Sequence, residues 1–396
     1  MGKIQKVEIQ KALGFRSSET IKVAVFDDGG NSAEAFVASG KSEGKYEAKY
    51  LEPDRAVLKS GELTLLLKGV DVNDQTGIDQ KMIDKDGMPQ KENLGGNVML
   101  GTSIACAKLA AKTQKKELFK YFAELLSGEN EEFQYQPPKI LFNLIEGGVH
   151  ADNGLPIQEH LLISGQTLIK DQIARLDKVF DAMAKRFETE GIGLNYGDEG
   201  GFTTFGRPAS GNGFQPENEA FNLLNEYLES GDMIGIDAAA NNINEFDAEK
   251  YLKYYRELFK NYPFLYFEDP FPEEGFELYW KDLCHIFGKE KGLVAGDDLT
   301  VTNMEKLQSA LNQKMVNAII IKPDQVGTLT ETLATIRLAK VSGVKVIVSH
   351  RSQETNDDFL ADLAIGVNAD FVKFGAFYQG ERLAKYNRLL AIESLF

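Results

Sequence analysis

Two rhythms of apolar residues run along this chain, and one gives way to the other near residue 135. Early on, IKVAVFDDGGNSAEAFVASG (21–40) alternates apolar and polar positions around Asp28-Gly29-Gly30-Asn31, the pattern of an antiparallel hairpin closed by a tight turn. Helical spacing follows in NVMLGTSIACAKLAAKTQ (97–114) and ELFKYFAELL (117–126). Residues 1–130 therefore read as an α+β domain. At SGENEEFQYQPP (127–138) polarity, charge and a double proline interrupt every pattern, which sets the domain boundary there.

The second domain, 135–396, repeats short continuous apolar runs: KILFNLI, EHLLI, MIGID, FLYFED, LVAGDD, AIIIKPD, VKVIVSHR and FVKFGA. Continuous rather than alternating runs belong to strands buried on both faces of a sheet. Amphipathic stretches such as TETLATIRLAKVSG separate most of them. Eight runs predict a closed β/α barrel, with an irregular start because the first two have too little chain between them for a helical crossover. An open doubly wound sheet is the alternative topology.

Composition narrows the partners. The chain has 396 residues, and 60 acidic against 44 basic side chains give a formal net charge of −16. That balance repels a phosphate backbone or an anionic membrane, so no nucleic acid and no membrane partner is expected. An anionic small molecule would need local positive charge, from a metal ion or a Lys/Arg cluster. Cys106 and Cys284 are too few and too far apart for a disulfide framework or a zinc knuckle, which fits a reducing cytoplasm. No apolar run approaches the roughly 18 to 20 residues of a membrane helix.

The residues ending successive runs are Asp237, Glu268, Asp297, Lys322, His350 and Lys373, separated by 31, 29, 25, 28 and 23 residues, one βα unit per step. Barrel enzymes build their sites at that end of the strands, so these six converge. Singly, each could cap a helix; together they make a site. Three carboxylates from neighbouring strands repel one another unless a cation joins them, and all-oxygen ligation favours Mg²⁺ over Zn²⁺. One buried, protonated carboxyl is the competing explanation. Lys322 and Lys373 beside that ion are candidate general bases, with a lowered amine pKa expected, or else mere neutralisers of the acids. Lysine plus Mg²⁺ suits α-proton abstraction next to a carboxylate. His350, Arg351 and Ser352 form a candidate anion clamp, with Ser352 capping a helix as the alternative. LIEGGVHADNGLPIQEH brings His150, Gln158 and Glu159, and NYGDEGGF brings Asp198 and Glu199, into glycine-rich turns of the barrel half. His160 and His285 read as packed or surface residues.

The stretches GDEGGF (197–202), FEDPF (267–271), GDDLTVTN (296–303), IKPDQVGTLTET (321–332), SHRSQET (349–355) and ERLAKYNRLL (381–390) together resemble the enolase family, the 2-phosphoglycerate hydro-lyases (phosphopyruvate hydratases) of glycolysis. The resemblance covers nearly the whole chain. It implies a barrel with a ββαα start and reversible dehydration of 2-phosphoglycerate to phosphoenolpyruvate. By the same resemblance Asp237, Glu268 and Asp297 bind Mg²⁺, with two ions per site and Ser42 of a mobile loop serving the second. Lys322 removes the C2 proton, Glu199 acts as acid with Glu159 in support, and Lys373 neutralises the carboxylate and enolate. Arg351 and Ser352 hold phosphate beside His350, with His150 and Gln158 as accessory residues. A cytoplasmic homodimer or higher homo-oligomer is also implied. Departures cluster in FRSSET, which keeps Arg16 and Thr20 of the family's SRGNPT, in Lys41 and Glu43 of the loop, and in Phe374 and Phe377 after Lys373. These leave two other readings, a related lyase acting on another hydroxy acid and a non-catalytic enolase-like binding protein.

Overall fold

A computed structural model describes residues 2–40, 44–128, 132–203 and 215–396. Ser42, Lys41 and Glu43 lie outside the described residues. The chain starts with an antiparallel sheet of β1 (Ile4–Leu13), β2 (Glu19–Asp27) and β3 (Ser32–Phe36) in the order β1-β2-β3. The expected hairpin is the β2–β3 connection, where the Asp27 carboxylate accepts from Asn31 N at 2.7 Å and Asn31 Nδ2 at 2.9 Å. Val7, Ile9, Val23 and Val25 turn to one face and are buried. Helix Gly96–Thr113 packs on that face so closely that a Cβ at Gly101 would stand 2.6 Å from Val23 Cγ2. Any side chain there would push helix and sheet apart.

Eight strands form the barrel: β4 (Lys139–Glu146), β5 (Glu159–Ile163), β6 (Met233–Asp237), β7 (Phe264–Glu268), β8 (Leu293–Gly296), β9 (Ala318–Ile321), β10 (Lys345–Ser349) and β11 (Phe371–Lys373). Each coincides with one of the eight apolar runs. The sheet closes where β11 pairs with β4 through Phe371–Lys139 and Val372–Ile140, which removes the open-sheet alternative. β5 is antiparallel to both neighbours, and two helices, Ile169–Thr189 and Gln215–Glu226, follow it before β6. This is the ββαα start, and it accounts for the missing crossover.

Leu141, Leu161, Tyr266, Ala295, Ile320 and Ile347 fill the barrel interior, while Phe142, Leu162, Phe267, Ile321 and Val348 face the helices. Burial on both sides is why the runs are continuous. The first domain sits over the C-terminal ends of the strands. Asp357 ties it down by accepting from Phe36 N at 2.9 Å and Lys108 Nζ at 2.7 Å. Ala48 N donates to Gln325 O at 2.9 Å, and Lys91 pairs with Glu331 at 2.8 Å. These contacts hold Gly44–Glu47 at the barrel mouth. No described helix is long and apolar enough to cross a membrane.

Candidate active site

All six strand-end residues lie at the barrel mouth: Asp237, Glu268 and Lys373 end their strands, and Asp297, Lys322 and His350 directly follow theirs. With Glu47, His150, Gln158, Glu159, Glu199, Arg351 and Ser352, most of them line one pocket. The cavity is small, about 50 Å³, because its acids and bases are folded onto one another.

Lys373 is the hub. Its ammonium lies 2.8 Å from Glu159 Oε2, 2.9 Å from Asp237 Oδ2 and 2.9 Å from each oxygen of Glu268. Burial alone would depress its pKa, but the surrounding carboxylates hold the amine well above the usual lysine range. Glu268 also accepts from Tyr266 Oη at 2.7 Å, and burial beside Asp237 pushes its carboxyl up to about 8. Lys322 pairs with Asp297 Oδ2, and Gln325 Nε2 donates to Asp297 Oδ1 at 2.8 Å. The lowered amine pKa expected of Lys322 beside a divalent ion is opposed by its nearest neighbour. Burial does push Lys322 down, but the adjacent Asp297 charge outweighs it and holds the amine above its ordinary value. While Asp297 faces it uncompensated, Lys322 stays an ammonium.

Arg351 is neither solvated nor an empty clamp. Its guanidinium is buried and shares Glu47 Oε2 at 3.0 Å and Asp324 Oδ2 at 2.8 Å, with Tyr50 Oη donating to Asp324 at 3.2 Å. Burial next to Arg351 and Glu47 leaves the Asp324 carboxyl at about 6. Ser352 caps no helix: the next begins at Phe359, with Asp358 before it. Ser352 is among the residues lining the pocket, and its carbonyl accepts from Arg382 at 2.9 Å.

A second network fixes the imidazole of His350. Arg382 Nη1 contacts Nδ1, and a guanidinium can only donate, so Nδ1 is the acceptor. The proton therefore sits on Nε2 and is donated to Glu199 Oε2 at 2.8 Å. Burial and then Arg382 lower the His350 pKa to about 4, so the ring is neutral at physiological pH. Asn143 Nδ2 gives Glu199 a further bond of 2.7 Å. Burial pushes Glu199 up, yet His350, His150 and Arg382 hold it well below the usual range. Glu159 moves the other way, raised by burial and by the Glu199 charge. Their surroundings thus push the two neighbouring carboxyls in opposite directions, Glu159 up and Glu199 down. Two carboxyls pushed apart in this way are a recurring sign of acid–base work.

His150 stands within 3.8 Å of Glu146 and Glu159, and Gln158 meets Asn242 at 3.5 Å. Asp198 accepts from Arg16 Nη1 at 2.6 Å, which links FRSSET to the mouth. His160 is packed, and His285 lies exposed on a helix. Phe374 and Phe377 pack on Tyr386 with centroids 6.0 and 4.8 Å away, outside the pocket lining. Sequence reasoning missed Glu47, Asp324, Arg382, Asn143 and Glu146. Of these, Glu146 lay beside the glycines already singled out, and Asp324 and Arg382 lay inside the quoted stretches 321–332 and 381–390. The Glu146 carboxyl accepts from Glu199 N at 3.1 Å and Gly201 N at 2.5 Å, and burial lifts it to about 8.

The donor set suits a hard divalent cation. Among the lining residues, seven carboxylates (Glu47, Glu159, Glu199, Asp237, Asp269, Asp297, Asp298) stand against three cations (Lys322, Arg351, Lys373). Such an acid excess can receive an anionic ligand only if further positive charge arrives with it. Among the described residues, two groups of three have ligand atoms within 4.8 Å of one another, His150–Glu159–Glu199 and Asp269–Asp297–Asp298. Asp237 and Glu268 are instead drawn together around the Lys373 ammonium. Asp269 holds a left-handed backbone, φ +36°, while accepting from Asp297 N and Asp298 N, which fixes the turn after β7 against the turn after β8.

A barrel with an inverted second strand, an α+β cap over its mouth and a ring of carboxylates around two strand-end lysines defines a class, the capped β/α barrels with an acidic, lysine-bearing mouth. Residues 134–251 and 225–396 match the family model described as "Enolase, C-terminal TIM barrel domain", and residues 4–122 match "Enolase, N-terminal domain". Curated relatives include the protein named Enolase of Sulfurisphaera tokodaii, 38% identical over 99% of this chain and 96% of the relative. Those of Mesomycoplasma hyopneumoniae and Mesomycoplasma hyorhinis, also named Enolase, are 36% and 34% identical over 99% of this chain and 95% and 96% of theirs. The chain belongs to the enolase family.

Proposed function

We propose that this protein is a hydro-lyase that reversibly dehydrates 2-phosphoglycerate to phosphoenolpyruvate by α-proton abstraction through an enolate. One observation carries this reading most: lysines from the ends of β9 and β11 enter a mouth whose carboxylates come from β6, β7 and β8. The family relationship supports it, since the relatives are named Enolase. Residues 135–396 would carry the chemistry and residues 1–130 would cap it.

Lys322 takes the C2 proton once the charge of Asp297 is otherwise compensated. The C3 hydroxyl leaves with the proton held by the Glu159–Glu199 pair, so the lysine ends protonated and the carboxyl ionised. Both return to their starting states through solvent. His350 is a neutral donor that fixes the rotamer of Glu199 and keeps it ionised, and His150 adds to that bias. Lys373 pairs with the substrate carboxylate and with the enolate charge, exchanging its present carboxylate partners for them. Arg351 and Ser352 receive the phosphate, with Gln158 at the edge of the pocket.

Asp237, Glu268 and Asp297 would hold Mg²⁺, and Ser42 would serve a second ion. When bound, the metal supplies the positive charge that stabilises the enolate. A homodimer or higher homo-oligomer in the cytoplasm completes the reading. The test is ultraviolet absorbance of the enol product from purified protein, 2-phosphoglycerate and Mg²⁺. A signal that is lost in Lys322→Ala is expected, and no signal from the wild type rejects the reading.

A further inference from the structure

A buried acid outside the pocket has no part in the chemistry above. Glu217, on helix Gln215–Glu226, is fully buried between that helix and the barrel wall, as is His160 on β5. Their side chains meet at 2.5 Å, Glu217 Oε2 to His160 Nε2. The other oxygen, Oε1, accepts from the backbone N–H of Ile157 at 2.9 Å. Phe221 packs on the imidazole with centroids 5.0 Å apart, and the far ring nitrogen, Nδ1, has no hydrogen-bond partner among the described residues. A carboxylate sunk in an apolar layer is costly, and an apolar pair of similar size would fill the same space without that cost.

What distinguishes the position is its neighbour. Strand residues alternate between faces, so His160 facing the helices sets Glu159 facing the pocket. Glu159 is paired in register with Glu146 of β4 and Asp237 of β6, and Gln158 lies between it and the clamped Ile157 N–H. One carboxylate thus grips the strand from behind at His160 and the incoming loop at Ile157, on either side of the two residues delivered to the pocket. We propose that Glu217 is a positioning residue that fixes the rotation of the 157–160 segment, and through it the placement of Gln158 and the Glu159 carboxyl. This rests on the proposed dehydration for its consequence, although the clamp itself does not.

The experiment compares Glu217→Ala, Glu217→Gln and the double variant His160→Leu/Glu217→Leu by kcat and KM for 2-phosphoglycerate, Mg²⁺ uptake by calorimetry and amide exchange over 155–163. Misplacing a reacting group by a fraction of an ångström is enough to lower kcat by about tenfold or more in Glu217→Ala, with Mg²⁺ affinity kept within about twofold. Exchange at Ile157 should rise by about tenfold as its bond is lost. Gln keeps an acceptor for Ile157 and should stay within about threefold of wild-type kcat. Wild-type kcat and exchange in a folded Glu217→Ala protein overturns the proposal, and so does a parallel loss of Mg²⁺ affinity and kcat, which marks general loosening. If Glu217→Ala does not fold, the Leu/Leu protein replaces both partners with apolar groups, and wild-type kcat there overturns the proposal equally. If the wild type itself does not turn over 2-phosphoglycerate, the functional reading fails, and amide exchange alone decides the clamp.

Discussion

The floor and the mouth of this barrel are built from the same strands by opposite rules. On β7, Tyr266 belongs to the closed apolar interior, and two residues on, Glu268 belongs to the charged ring. The floor is apolar side chains from every strand, packed so that burial stabilises the fold. The mouth packs carboxylates, lysines and arginine out of water, where each charge is tolerable only because a partner touches it. On the function proposed above, floor substitutions should cost stability alone, whereas a mouth substitution should cost turnover, and stability as well where it strands a buried charge.

The largest separation is expected at Lys322. Lys322→Ala should lower turnover by about 10³-fold or more, as for loss of a general base, with a folded protein that still takes up Mg²⁺ in calorimetry. Next is Lys373→Ala, which strands Asp237, Glu268 and Glu159 together. The metal-free protein should lose about 4 kcal/mol in denaturant unfolding, and added Mg²⁺ should restore much of it. Unchanged metal-free stability would break the contrast between mouth and floor. At the floor, Ile320→Ala should cost about 3 kcal/mol by leaving a cavity, while kcat and KM of the folded fraction stay near wild type.

His350 gives a comparable effect with a pH signature. Its folded pKa of about 4 lies below the unfolded value of roughly 6.5, so the unfolded chain binds more protons between them. The stability from keeping this ring neutral is complete above pH 6.5 and is lost as pH falls towards 4, about 3 kcal/mol in all. His350→Gln should remove that slope from the pH dependence of unfolding. The smallest effect belongs to Arg16→Ala. Its side chain is 61% exposed, and losing the Asp198 contact should change kcat by no more than about threefold.

Much of this was legible in the chain before any coordinates. Strands buried on both faces announce themselves as continuous apolar runs, and a strand-end residue recurring once per βα unit marks the catalytic face. Partner choice was not legible. Arg351 finds Glu47, 304 residues away, and Asp324, and no periodicity connects the three. Arg382, from the last helix, sets the tautomer of His350 by approaching one particular nitrogen. The sign of the Lys322 pKa shift depends on how near Asp297 comes, a distance that spacing does not encode. The opposite pKa shifts of Glu199 and Glu159 are hidden for the same reason: the tilt on Glu199 comes from His350, His150 and Arg382, gathered from three separate loops and helices.

Exchange of the C2 proton of 2-phosphoglycerate with deuterated solvent, followed by NMR with Mg²⁺ present, tests the central claim most directly. Wild-type protein should wash deuterium into C2, and Lys322→Ala, folded and still taking up Mg²⁺, should not. Equal exchange by the two proteins would contradict the assignment of the proton-abstracting base to Lys322.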